Sequence, residues 1–218
     1  RRVLFRSKIM KNIIKFLAAS LMIMSLTSAK AEIKYGLSII AGETNIDGTE
    51  AEGTAADTST RTASFEEAFL GGDIFIESVD ENGLAFGLAY VPLDIDLGSG
   101  SRNDLDGDDA AENDNGNRTA KASVNDLFTL YTNLPVGDNG YYGLLGVHRA
   151  TVKTEEVLNE SSYGDEKIWG AQFGFGKRMG NLKMELSYSN FENITATATG
   201  GGTNSVSADA DAMALRIS

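Results

Sequence analysis

The sequence predicts an all-β protein: a closed eight-stranded antiparallel up-and-down transmembrane β-barrel with short periplasmic turns and long outer loops. Three observations lead there. Apolar residues after Glu32 recur at every second position rather than at helical spacing. Short turns rich in Gly and Asn alternate strictly with long polar segments. A basic and then apolar N-terminal stretch, free of acids, precedes the first strand.

Composition removes several function classes. The 218 residues include no cysteine, which excludes disulfide scaffolds, thiol chemistry and cysteine-ligated metals. The single imidazole, His148, leaves no partner for a multi-histidine metal site. Acids outnumber bases 31 to 19, and phosphate neutralisation needs clustered Lys and Arg, so nucleic acid is not an expected partner.

Residues 1–31 carry seven bases and no acid. Met10-Lys-Asn-Ile-Ile-Lys15 reads as a basic n-region, Phe16 to Leu26 as an apolar h-region, and Ala29-Lys30-Ala31 as a cleavage site. That apolar run is too short to span a bilayer, which takes roughly 20 residues. The expected organisation is a non-native leader at 1–9, a signal peptide at 10–31 and a barrel domain at 32–218. Residues 1–7, RRVLFRS, resemble a translated sequencing adapter, which puts the expected start at Met10. The barrel domain alone then holds 12 bases against 31 acids, a formal charge of −19.

Eight strands follow in order. Ile33–Ile39, Leu84–Tyr90, Trp169–Phe175 and Leu182–Tyr188 alternate cleanly, and Leu182-Lys-Met-Glu-Leu-Ser-Tyr188 separates its two faces best. Ala68–Ser78, Tyr141–Thr151 and Val206–Ser218 fit less perfectly. Ala122–Asn133 fits worst, because Asp126 shares the parity of Phe128 and Leu130; a bulge would repair it. Short turns are expected at 79–83, 134–140 and 178–181, and long loops at 42–61, 98–118, 153–166 and 193–206. A membrane barrel explains this asymmetry, since its backbone must pair internally and its loops sort by side.

Parity assigns the faces. Bulky residues such as Leu37, Ile76, Leu88, Phe173 and Leu186 are expected to face lipid. Gly36, Ala85, Gly87, Gly170 and Gly174 face a narrow lumen. Tyr35, Tyr90, Tyr141, Tyr142, Trp169 and Tyr188 lie near strand ends and are candidates for aromatic girdles. Inward, Lys34, Asp73, Glu77, Lys183, Glu185 and Arg216 fall near the periplasmic ends of the first two and last two strands. They are expected to form an ion-pair network that plugs the lumen, because eight strands leave room only for side chains and buried charges must pair.

The signal peptide, the eight amphipathic strands, the Gly-aromatic segment Trp169–Phe175 and the loop asymmetry together resemble the small eight-stranded outer-membrane proteins of the OmpA/OmpX/Opa type. The likeness is of architecture and covers nearly all of 32–218. It implies residence in the bacterial outer membrane, with outer-membrane lipid, lipopolysaccharide and the barrel assembly machinery as partners. Members of that family typically end in an aromatic residue; this chain ends Leu215-Arg-Ile-Ser218, so either the last residues are missing or the insertion signal differs.

Eighteen acids fall in residues 43–61, 94–118 and 153–166, enough for loose association with divalent cations. Asp104-Leu-Asp-Gly-Asp-Asp109 starts like a calcium loop but has Asp109 where the turn needs Gly, and Asn115 at the twelfth place. Gly200–Gly202 opens no helix and reads as a loop. A serine hydrolase would have to use His148 with Ser123 or Ser187, and no motif supports that. His148 is instead expected in the lumen's polar network. The expected function is therefore structural or surface-interacting, with no cofactor and no enzymatic activity. A small porin-like channel is the alternative, and a soluble lipocalin-like ligand-binding barrel the second.

Overall fold

The computed structural model describes residues 31–54, 57–104, 116–157, 162–199 and 204–218. The leader and signal segment, the Asp104–Asp109 motif beyond its first residue and Gly200–Gly202 lie outside these residues. The strands are β1 (Glu32–Thr54), β2 (Asp57–Val79), β3 (Ala85–Val91), β4 (Ile95–Asp104), β5 (Gly116–Val136), β6 (Tyr141–Val157), β7 (Glu166–Met179), β8 (Leu182–Phe191), β9 (Ile194–Thr197) and β10 (Ser205–Ile217). No helix occurs among the described residues.

Eight of these strands form a ring. Each is antiparallel to its neighbours in the order β1-β2-β3-β5-β6-β7-β8-β10, and β10 returns to β1 from Ile39↔Ile217 to Ala51↔Ser205. Closure removes the edge from Ile39 onward, while Glu32–Ser38 are laddered to β2 alone among the described residues. The other two strands prolong ring members beyond a break. Pro92, which has no N–H to donate, interrupts the path from β3 to β4, and β4 pairs only with β5 among the described residues. Glu192 and Asn193 separate β8 from β9, where the Glu192 carboxylate accepts from the Trp169 N–H at 2.9 Å.

One end of the ring carries the three short connections, here the turn end. At 79–83 Gly83 has φ +84°, and the Asp80 carboxylate accepts from the Asn82 and Leu84 N–H groups at 2.9 Å each. The opposite, hairpin end differs from the sequence expectation. Residues 42–61 are not an open loop: β1 and β2 stay in register up to Thr54↔Asp57. Likewise β4 and β5 pair up to Asp104↔Gly116, β6 runs to Val157, and β9 pairs with β10. Polar residues on both faces hide a strand from a search for apolar alternation, yet a ladder solvated on both sides needs no apolar face.

The misfit around Asp126 is a bulge. The β5–β6 register slips between Asn125 and Phe128, and Asp126 takes φ 51°. Parity flips there, so Val124 before it and Leu127 after it both pack in the interior, while Phe128 is exposed and stacks on Tyr90 at 4.5 Å.

The faces separate as the period predicts. Tyr35 is 84% exposed, Leu70 78%, and Ile33, Leu37, Ile39, Phe173, Phe175 and Leu186 are also exposed on the outer wall. Glu77, Asp73, Lys183 and Glu185 are buried inside. Val147 departs from this: it has outward parity yet is buried. The protein is thus inside out relative to a water-soluble fold, with bare apolar groups outside and charges within.

Candidate functional site

The interior is built from aromatic rings laid across glycines. Gly36 faces Phe75, Gly87 faces Tyr131, Gly176 faces Tyr142, Gly170 faces Phe191 and Gly42 faces Phe69, each pair directly opposite in the ladder. A Cβ at Gly36 would stand 2.8 Å from the Phe75 ring, and one at Gly176 would stand 2.6 Å from Tyr142. The missing side chain is what lets each ring lie flat against the wall of so narrow a barrel.

Over these rings, toward the turn end, sits a charge network. Glu77 accepts from Arg178 Nη2 at 2.9 Å, from Lys183 Nζ at 2.8 Å and from Tyr131 OH at 3.1 Å. Arg216 grips Asp73 with two bonds, Nε to Oδ2 at 2.7 Å and Nη2 to Oδ1 at 2.9 Å, and reaches Glu185 with Nη1 at 2.6 Å. Tyr142 OH donates to the other Glu185 oxygen at 2.9 Å, and Ser38 donates to Asp73 at 2.7 Å. Phe75 serves both cations, with Lys183 Nζ 4.4 Å and the Arg216 guanidinium carbon 5.1 Å from its ring centre. Three carboxylates meet three cations here, so the cluster is formally neutral.

Five of the six predicted network residues, Asp73, Glu77, Lys183, Glu185 and Arg216, are joined in this cluster. Lys34 is the correction: it lies partly exposed near the turn end, where its Nζ pairs with Glu32 at 3.3 Å. Arg178, Tyr131 and Ser38 were missed. The turn expected at 178–181 starts later: Arg178 is still in β7 and in register with Lys183. Tyr131 was hidden by the bulge.

Tyr142 is the second correction. It is not on the outer wall but buried on Glu185. Its parity with Leu144 and His148 points inward, and a place near a strand end does not by itself put a ring on the outer wall. The other five aromatics lie outside, exposed or half-buried, at two levels. Tyr35 and Tyr141 sit toward the turn end, where Lys177 Nζ lies 4.5 Å from the Tyr141 ring centre. Tyr90, Trp169 and Tyr188 sit toward the hairpin end, with Arg149 5.8 Å over Trp169 and Phe173 5.3 Å from Tyr188.

His148 occupies the middle of the interior. One ring nitrogen meets Thr129 Oγ1 at 2.8 Å and the other Ser189 Oγ at 2.9 Å, with Phe191 stacked at 5.5 Å. The hydroxyls weighed in the sequence are engaged elsewhere: Ser123 donates to Asn125, and Ser187 accepts from Gln172. Among the described residues no carboxylate bonds the imidazole, as a serine hydrolase triad would require.

Beyond His148 the interior turns apolar. Leu97, Val124, Ala150, Val152 and Ile168 form a buried cluster, with Leu127 and Phe191 packed on it. Beside it lies a cavity of about 120 Å³. Among the described residues, no group of three or more His, Asp or Glu side chains is placed to hold a metal ion.

No family model matches the chain, and no curated protein sequence does. Similar solved structures include the Neisserial surface protein A, at 8% identity and a TM-score of 0.40 over 85% of this chain and 98% of that one. Another is Ail, the attachment invasion locus protein of Yersinia pestis, in complex with the heparin analogue sucrose octasulfate. It shares 9% identity at a TM-score of 0.33, over 83% of this chain and 98% of that one.

Proposed function

We propose that this is a bacterial outer-membrane β-barrel protein with a structural or surface-interacting role and a lumen closed by its ion-pair network. One observation carries the reading: a closed ring whose outer wall is a continuous apolar surface, while its charges are buried inside. Water would penalise that outer wall, and hydrocarbon would not. Tyr35 and Tyr141 then mark one membrane interface, and Tyr90, Trp169 and Tyr188 the other. The turn end faces the periplasm. The paired hairpins β1–β2 and β4–β5 extend outward among lipopolysaccharide, where their carboxylates associate loosely with divalent cations. Outer-membrane lipid and the barrel assembly machinery are the other partners.

The network supports a closed lumen because each of its charges already has a partner across the bore. Two measurements test the reading. Detergent-folded protein should migrate differently before and after boiling, as closed barrels do; recovery in the aqueous periplasmic fraction without detergent would sink membrane insertion. In planar bilayers the barrel should give no large stable conductance steps. Their appearance would replace the closed lumen with a small channel.

A further inference from the structure

The cavity of about 120 Å³ lies where the lumen changes from charged to apolar. Its sides are aliphatic and aromatic: Leu97, Val124, Val152, Ile168 and Phe191. Its floor is the His148–Ser189–Thr129 set and the near edge of the Arg216–Asp73–Glu185 cluster.

Size, chemistry and access converge on one class of occupant. An enclosed apolar space of roughly 150 Å³ stays dry and takes a benzene-sized guest, so this one suits a single ring or a hydrocarbon of equal bulk. The floor offers no unpaired charge: Asp73 and Glu185 already hold Arg216. Both ring nitrogens of His148 are also engaged. A carboxylate would lose its hydration there and gain no counter-charge, because the other charged residue on the lining, Asp211, is itself an acid and already accepts from Asn45 Nδ2 at 3.2 Å. The wall beside the cavity is incomplete. The β2–β3 ladder stops at Ile74↔Tyr90, Pro92 follows, and among the described residues no ladder joins β2 to β4. Phe69 on β2 and Leu97 on β4 line the cavity from either side of this seam. The Glu67 carboxylate lies over Gly98 across it.

We propose that this chamber is a binding site for a compact, neutral, apolar molecule of about one aromatic ring. The site goes beyond the surface role above and does not rest on it, since any folded barrel presents the chamber whether or not the hairpins have a partner.

The test uses the full barrel in phosphatidylcholine nanodiscs, with 4-fluorotoluene as the probe and fluorine NMR as the readout. Empty discs give the partitioning background. A saturable component above that background, displaced by toluene and not seen with 4-fluorobenzoate, is the expected result. Val152→Trp fills the chamber and should weaken this binding roughly tenfold or more, by removing the space the ring occupies. Should Val152→Trp fail to fold by the boiling-shift gel, Leu97→Ala serves instead. It enlarges the chamber and should tighten binding of 1-fluoro-4-propylbenzene roughly threefold or more. No saturable component in the wild type would overturn the proposal. So would equal uptake of the benzoate, or unchanged affinities in whichever variant folds.

Discussion

The two halves of the interior solve the same packing problem with opposite chemistry. Near the turn end the bore is filled by charges, each on a partner and all but Asp73 against a ring lying over a glycine. Near the hairpin end it is lined by aliphatic groups and left underfilled. The wall is interrupted beside both halves, in different places. Beside the charged half β1 pairs with β10 only from Ile39 onward, so Glu32–Ser38 are laddered to β2 alone among the described residues. The apolar half borders the β2–β4 seam, where the ladder is missing. A neutral, fully bonded cluster suits side chains that are buried away from water, because there any unmatched group is costly. The lesson is that the charged half fixes the barrel's geometry, while the apolar half has slack that a ligand can use.

The contrast is broken most directly at Glu77. Glu77→Ala strips both Lys183 and Arg178 of their counter-charge and leaves Tyr131 OH without its acceptor. Stranding a buried partner in this way costs about 3–5 kcal/mol. Urea unfolding from vesicles, followed by the fluorescence of Trp169, should show the loss. A midpoint close to wild type would mean that water reaches this half and that the charges are not holding it.

The same truncation in the other half should cost less. Leu97→Ala removes a buried side chain from a cluster that already borders empty space, so about 2 kcal/mol is expected, the low end for such changes. If Leu97→Ala proved as damaging as Glu77→Ala, the apolar half would be as tightly determined as the charged one, and the slack inferred for it would be absent.

The glycine–ring pairs predict a smaller effect with a sharper signature. Gly176→Ala pushes a methyl group into Tyr142 and should cost about 1–2 kcal/mol by overpacking. Combined with Tyr142→Leu, which removes the ring, Gly176→Ala should cost almost nothing more, a clear departure from additivity. Additive losses would show that the glycine serves the backbone rather than the ring.

How much of this was legible in the sequence follows from period two. Parity alone set the outer wall, the ring of eight and the inward placement of Glu185 and Asp73, because each depends only on which side of a strand a residue occupies. Parity failed where one residue was added or the count began in the wrong place. The bulge at Asp126 concealed Tyr131, and treating Arg178 as a turn residue removed a cation from the network. Lys34 has the right face but sits beside Glu32, and distance along the bore is something parity does not encode. The hairpins were read as loops because polar residues on both faces leave no alternation to detect.

A last test asks whether those hairpins are held as firmly as their ladders imply. Lys121 on β5 bonds Asp96 on β4 at 2.9 Å, and this bond, aided by the nearby Glu155 and Asp94, raises the ammonium pKa above its ordinary value. A cation whose pKa is raised on folding adds stability in full below its unfolded value and loses it as pH climbs through the folded one. The chain has no cysteine, so a spin label on Ser101→Cys reports this hairpin alone. Lys121→Gln should raise the label's mobility slightly at pH about 8, and the wild type should match it only once pH climbs well past the ordinary lysine value of about 10.4, because the folded ammonium titrates above it. Molar salt should shrink the difference as well, because both side chains are exposed. If the label ignores all three changes, the ladder's backbone bonds hold the hairpin without help from its charges.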